Sequence, residues 1–279
     1  MVVLPNRSAF LPGLIALIEV GSDRSCPKEK DREDGGTMSA QFDGTKVVCF
    51  DLGNTLIEFG PRQIAMQYER LTAKLVEMFG SCDATKLKEI RDRQIVAPYH
   101  DQYRENDVEE CCRELIEGIF PVTATDDQVQ ELAEERYQGF VDIIELADEI
   151  LPLLGALSER YRLALLSNFP CGRSIREGIA KLGMTKHFNA IVVSGEVGWV
   201  KPDPRPYRKM LEQLQSDPAE CVYVGDNWLA DVQGSKSIGM KSILTTEHLP
   251  YERFEPNPGD HEPDQKIAHI RELRDLLLG

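Results

Sequence analysis

The decapeptide Val47-Val48-Cys49-Phe50-Asp51-Leu52-Gly53-Asn54-Thr55-Leu56 constrains this chain more than any other stretch. Four apolar residues, β-branched and aromatic among them, run straight into an aspartate and then a Gly-Asn pair. That is the pattern of a short strand covered on both faces in a parallel sheet and closed by a turn. Asp51 then stands at the carboxyl end of the strand, where open α/β sheets place their ligands. A carboxylate in that position can be a nucleophile, a metal ligand or the cap of the next turn. The stretch alone leaves all three open.

The remainder of the chain falls into two regimes. Between about 60 and 145 the apolar residues recur at helical spacing only. Pro61 suits a first helical turn and Gly80 a helix C-terminus, with Ile64, Tyr68, Leu71, Leu75 and Met78 between them. Lys86–Tyr99 reads as a second helix. A third carries Val108, Cys112, Leu115 and Ile119, with Asn106 as N-cap. A fourth opens on the capping-box pattern Thr125-x-x-Gln128. From 146 onward short apolar runs alternate with helical patterns. Strands are expected at Arg162–Ser167, Ala190–Val193, Cys221–Gly225 and Lys241–Thr245. Helices are expected at Asp148–Ser158, around Ile175–Leu182 before Gly183, around Tyr207–Leu214, at Leu229–Ile238 before Gly239, and finally over Ile267, Ile270 and Leu277. Such alternation predicts an α/β fold, a doubly wound parallel sheet with an inserted all-helical unit. The expected divisions are an α/β core over 46–59 and 146–279, a helical cap over 60–145, and residues 1–45 as a disordered extension or a mis-assigned upstream start. Ala9–Val20 is broken by Pro12 and Gly13, which argues against a secretory leader.

Composition narrows the partners. A net charge of −15 over 279 residues argues against nucleic acid and against an anionic membrane surface. An anionic ligand would need local cations or a metal. Seven cysteines with no C-x-x-C pair suggest neither a disulfide framework nor a zinc site, which fits a cytoplasmic location.

Polar residues close several of the expected strands. Ser167-Asn168 ends one. Lys201 lies in the loop Gly198-Trp199-Val200-Lys201-Pro202-Asp203-Pro204 after another. Gly225-Asp226-Asn227 ends a third, with Asp231 five residues beyond Asp226. Singly, each has a structural reading as a cap, a loop cation or a turn former. A doubly wound sheet puts all of them on one edge with Asp51. Together, in this order and spacing over roughly 46–245, they resemble the motifs of the haloacid dehalogenase superfamily.

The resemblance implies an Mg2+-dependent phosphatase of a small phosphorylated metabolite, working as a monomer or homodimer. It assigns Asp51 as the nucleophile that becomes an aspartyl-phosphate. Asp51, the Gly53 backbone carbonyl and Asp226 are the implied Mg2+ ligands. Lys201 is implied as a catalytic cation, and Ser167, Asn168 and Lys201 as the phosphate-binding residues. Asp231 is implied as a support that orients the metal site or Lys201. The physical logic is that an anionic nucleophile approaching a phosphate needs positive charge to screen both.

One position departs from the pattern. The related phosphatases carry a second aspartate two residues after the nucleophile, as general acid and base, and here that residue is Gly53. Such help is worth about two to four powers of ten in rate. Slow turnover, a good leaving group or a substitute group from the cap are therefore the expectations, with Tyr68, His100 and Asp101 the nearest cap residues. Alternatives on the same scaffold are a phosphate-binding protein without turnover, a metal-free dehalogenase, or a phosphonate hydrolase using Lys74, Lys86 or Lys88 for a Schiff base. Trp199, Trp228 and the Cys111-Cys112 pair read as packing residues, and Cys171 as a thiol near the second motif.

Overall fold

The computed structural model describes residues 41–248 and 257–279. Nearly all of the N-terminal stretch, including the apolar run Ala9–Val20, lies outside the described residues. Residues 41–45 are described, and Phe42 is buried among core side chains with the Lys241 ammonium 5.8 Å from its ring centroid. The α/β unit therefore takes in Phe42, a few residues before the first strand.

Six parallel strands form one sheet among the described residues: β1 (Val47–Phe50), β2 (Arg162–Ser167), β3 (Ala190–Val193), β4 (Cys221–Gly225), β5 (Lys241–Thr245) and β6 (Gln265–Ile267), in spatial order β3-β2-β1-β4-β5-β6. The middle strands are buried on both faces, which is why they read as unbroken apolar runs. Alternate residues face opposite layers. Val48, Phe50, Leu163, Leu165, Val222 and Val224 pack with α5 (Ile150–Ser158), α6 (Gly172–Lys181) and α10 (Leu273–Leu278). Cys49, Leu166 and Tyr223 face α8 (Pro204–Leu214), packing with Tyr207, Met210 and Leu211. A short helix α7 (Ser194–Val197) follows β3.

Four helices intervene between β1 and α5: α1 (Pro61–Phe79), α2 (Ala84–His100), α3 (Val108–Ile119) and α4 (Asp126–Ile143). They carry an apolar cluster of their own, with Leu75, Leu87, Cys112, Leu115, Ile116 and Leu132 fully buried. The Thr125–Gln128 capping box forms as expected. The N-cap of α3 is Asp107, not Asn106. Asp107 accepts from the amides of Glu109 and Glu110 at 2.9 Å each, where its charge also suits the helix dipole. Asn106 instead donates to the Gln94 carbonyl at 2.8 Å. The helical unit docks on the core through the rings of Phe59, Phe140 and Phe169 and through a backbone latch. In that latch the Glu105 amide bonds the Gly198 carbonyl at 3.0 Å and the Val200 amide bonds the Tyr103 carbonyl at 2.8 Å.

Two expectations fail in the C-terminal half. The expected final helix begins too early: Ile267 ends β6, and the helix proper is α10. The strand Gln-Lys-Ile is three residues long and held by its ladder to β5, so its side chains carry no readable period. The expected Leu229–Ile238 helix is a π-helical turn over Trp228–Gln233 followed by the short α9 (Gly234–Ser237).

Phe42→Ala is expected to destabilise the protein by about 3 kcal/mol, the usual cost of emptying a buried ring site. Urea denaturation of the full chain checks this. A loss under about 0.5 kcal/mol would place Phe42 outside the cooperative core.

Candidate active site

The strand order makes a crevice. From β1 the chain goes out to β2 and β3 on one side, then crosses back to β4 and continues to β5 and β6 on the other. Helices after β1 and β4 thus diverge at the carboxyl ends of these adjacent strands. Asp51 follows β1 and its amide still bonds the Val224 carbonyl at 2.9 Å, so the sheet fixes its position while the side chain projects beyond it. The next residues close tightly. The Leu52 carbonyl accepts from the amides of Leu56 at 2.9 Å and Ile57 at 3.0 Å. Asn54 turns the chain at φ 55°, a left-handed conformation that asparagine tolerates, and its Oδ1 accepts from the Phe59 amide at 3.0 Å. Asp226 follows β4, the neighbour of β1.

Lys201 reaches into the crevice from the loop after α7 and is 1 % exposed. Its Nζ lies 2.7 Å from Asp51 Oδ1, 2.7 Å from Asp231 Oδ1 and 2.9 Å from the Tyr223 hydroxyl. An ammonium has three N–H donors, and all three are used here. Tyr223 passes its own proton to the Leu166 carbonyl at 2.9 Å. Asp231 is engaged on both oxygens, since Oδ2 accepts from the Asn227 amide at 2.9 Å. The π-helical turn delivers it there. The amides of Asp231 and Val232 both bond the Asn227 carbonyl, and the widened turn aims the carboxylate back at Lys201. Gly225 makes room: a methyl there would sit 2.6 Å from the Asp231 Cβ.

The electrostatics follow from this crowding. One oxygen from each of Asp51, Asp226 and Asp231 lies within 4.8 Å of the others. With Lys201 the four groups sum to −3 + 1 = −2 when all are ionised. Burial pushes the Asp51 carboxyl up to about 6, against the pull of Lys201 and with the further push of Asp231. Burial and the charges of Asp231 and Asp51 hold Asp226 well above the usual carboxylate range. Burial pulls the Lys201 ammonium down, but Asp231 and Asp51 more than offset it, and the net direction is up. Of the three carboxylates, Asp51 and Asp226 keep oxygens available for a ligand, whereas Asp231 is taken up by Lys201 and Asn227. Oxygen donors with a net deficit of two positive charges suit a hard divalent cation.

The structure also shows roles that sequence reading did not supply. Asn168, expected to offer its backbone amide to phosphate, uses its side chain as a clamp on the Lys201 peptide: Nδ2 donates to the Lys201 carbonyl at 3.0 Å and the Lys201 amide donates to Oδ1 at 2.8 Å. Ser167 is buried at the tip of β2, one position beyond Leu166 in the register beside Asp51. Tyr223 was read only as a strand residue. Its hydroxyl on an otherwise apolar strand was the one available signal. From the cap, Tyr99 comes close enough to feel the charges of Lys201 and Asp231. Burial pushes its phenol up to about 12, so it stands neutral beside the site. Tyr68 is turned to Asp92, to which it donates at 3.1 Å, and His100 and Asp101 are exposed at the end of α2. Trp228 is buried under the β4–β5 edge with Val232 and Leu244, and Cys111 and Cys112 are buried in the cap. Trp199 lies under the Arg205 guanidinium at 3.8 Å.

Gly53 is not conformationally required. It does not use positive φ, and an added Cβ would meet only the Phe59 Cβ, at an ordinary 3.5 Å.

Lys201→Met is expected to lower stability by about 3–5 kcal/mol at pH 7, because it strands buried carboxylates without their cation. The sign with pH is set by those carboxyls: without Lys201 they bind protons more readily folded than unfolded, so the deficit shrinks as pH falls from 7 toward 5. Urea denaturation at the two pH values measures it, and an equal loss at both would contradict this electrostatic origin.

Similarities to known proteins agree with the geometry. The sequence profile described as haloacid dehalogenase-like hydrolase matches residues 48–245. The human haloacid dehalogenase-like hydrolase domain-containing protein 3 is 31% identical over 160 residues, 54% of this chain and 61% of that protein. The chain thus spans about three fifths of the length of the curated relatives it matches first. The N-acetylmuramic acid 6-phosphate phosphatase of Pseudomonas aeruginosa is 25% identical over 237 residues, 83% of this chain and 94% of that protein. Among solved structures, a 2-haloacid dehalogenase from Pseudomonas syringae pv. Tomato superposes with a TM-score of 0.65 at 24% identity, covering 83% of this chain and 97% of its own, which is a likeness of fold. With that profile covering most of the chain and the strand-tip residues gathered on one edge of a parallel sheet, this protein belongs to the haloacid dehalogenase-like hydrolase family.

Proposed function

We propose that the protein is a phosphatase of a small phosphorylated metabolite that works through an aspartyl-phosphate on Asp51 and requires Mg2+. The observation that carries the reading is the buried Lys201 bridging Asp51 and Asp231 beside Asp226. The N-acetylmuramic acid 6-phosphate phosphatase supports it as a relative matched over most of both chains. Asp51, Asp226 and the Gly53 carbonyl would hold the ion, which supplies the positive charge needed to bring a phosphate against a carboxylate. Asp51 Oδ attacks phosphorus, the bond to the leaving oxygen breaks, and that oxygen takes up a proton. Water then attacks the acyl phosphate, releasing phosphate and restoring Asp51. Lys201 keeps the nucleophile oriented and its charge offset. A direct bond from Lys201 to a phosphoryl oxygen would replace one of its three present partners. Ser167 and the backbone amides after Asp51 and at Asn168 are the further donors to the phosphoryl group.

The cap lysines do not support a Schiff base. Lys74 pairs with Glu77 and Glu131, Lys88 pairs with Asp92, and Lys86 is exposed on the surface. A cluster of three carboxylates also disfavours metal-free dehalogenation, since a haloacid is itself an anion and adds to their negative charge.

Gly53 makes the second half-reaction slow in this scheme. With p-nitrophenyl phosphate, a substrate whose leaving group needs no proton, wild type is expected to release a burst of about one equivalent of nitrophenolate and then turn over slowly. Gly53→Asp fits the space and is expected to raise the steady rate by about a hundredfold or more, while Asp51→Asn abolishes both phases. Binding of phosphate without burst or turnover would favour the reading that the site holds phosphate but does not cleave it.

Mg2+ is expected to raise the melting temperature by mass action, and Asp226→Asn to remove that shift. Because Asp51 titrates at about 6, protons compete with the ion below that pH. The Mg2+-induced shift should therefore be full at pH 7.5 and much reduced at pH 5. A shift unchanged across that range would speak against Asp51 as a ligand.

A further inference from the structure

A cavity of about 350 Å3 lies between the cap helices and the loop after β2. Asn168, Phe169 and Pro170 line its core end, adjoining the phosphate site. Three arginines line the cavity from the cap helices, Arg70 from α1, Arg91 from α2 and Arg136 from α4. Arg91 and Arg136 are set differently from Arg70 and other neighbours on the cap helices. Arg70, Arg93 and Arg113 on the same group of helices each hold a carboxylate, at 2.7 Å, 2.5 Å and 2.8 Å. Among the described residues Arg91 and Arg136 hold none within ion-pair distance. Arg91 donates to the neutral Gln94 Oε1 at 3.1 Å, and Arg136 points at the Cys112 sulfur at 3.8 Å. The acids nearby are already engaged: Glu135 with Arg70, Glu105 with the Ser194 hydroxyl and the Asn106 amide. Burial and the neighbouring Arg136 charge pull the Arg91 guanidinium down to about 10. Two guanidinium groups that face one cavity and hold no carboxylate of their own suit an anionic group on a ligand.

We propose that Arg91 and Arg136 bind a second anionic group, a carboxylate or a further phosphate, on the substrate whose scissile phosphoryl group sits at Asp51. The inference rests on the phosphatase reading for the position of that phosphoryl group. The substrate class is then phosphorylated acids or bisphosphates, and esters of neutral alcohols are poor substrates. Guanidinium forks recognise carboxylate and phosphate by paired hydrogen bonds, and burial strengthens both.

Binding of non-hydrolysable ligands tests this without turnover. Titration calorimetry with Mg2+ would compare three probes on the full chain: propylphosphonate, ω-phosphonocarboxylates of two to six carbons, and the matching alkane diphosphonates. At least one diacid series is expected to bind about tenfold or more tightly than propylphosphonate, and which series does so tells carboxylate from phosphate. In Arg91→Gln and in Arg136→Gln that ratio should fall to within about threefold, each variant first checked for a cooperative melt. If Arg91→Gln does not fold, Arg91→Lys and Arg136→Gln carry the comparison. Equal affinities of all three probes for wild type, or a ratio that survives both substitutions, would overturn the proposal. Failure of the phosphatase reading shows separately, as absence of burst and turnover with p-nitrophenyl phosphate.

Discussion

The buried ammonium of Lys201 is the interaction on which the site depends. It stands between Asp51 and Asp231, and its third N–H donates to the Tyr223 hydroxyl. A charge this deep is tolerable only because every donor is met and two carboxylates surround it. The arrangement holds the Asp51 side chain in one place and keeps two carboxylates from repelling each other apart. With Asp226 present the group is two negative charges in excess when all are ionised.

Much of the surrounding architecture makes that triangle possible. The reversal of strand order at β1 opens the crevice into which the groups project. The Asn168 side chain holds the Lys201 peptide at two points. Gly225 removes the Cβ that would block Asp231, and the π-helical turn spends regular helical hydrogen bonding to aim that carboxylate. Each device is local, and each serves a side chain that comes from a different element.

The cap supplies what the core lacks. The core site is built from three carboxylates, a buried lysine and a strand-tip serine. The cap has an apolar centre of its own and reaches the core through aromatic rings and a two-bond backbone latch. Between them lies a cavity lined by Tyr99 and Asn168 and by Arg70, Arg91 and Arg136 of the cap helices. The contacts of Arg91 and Arg136 stay within the cap and do not touch the triangle.

The amino-acid sequence by itself determined the parallel sheet and its central strands. Both-face burial leaves an unbroken apolar run that any reader of the chain can find, and β1, β2, β3, β4 and β5 stand where those runs lie. It determined the strand-tip set Asp51, Ser167, Lys201, Asp226 and Asp231 as well, because doubly wound connections put successive carboxyl ends on one edge. It did not reveal β6, whose three residues are fixed by pairing to a neighbour, nor the π-helical turn, which exists because Asp231 must reach Lys201. Tyr223, the Asn168 clamp, Tyr99 and the facing arginines were decided only by tertiary structure. Their meaning lies in distances between residues 20 to 60 or more positions apart, and no local period or propensity encodes such a distance.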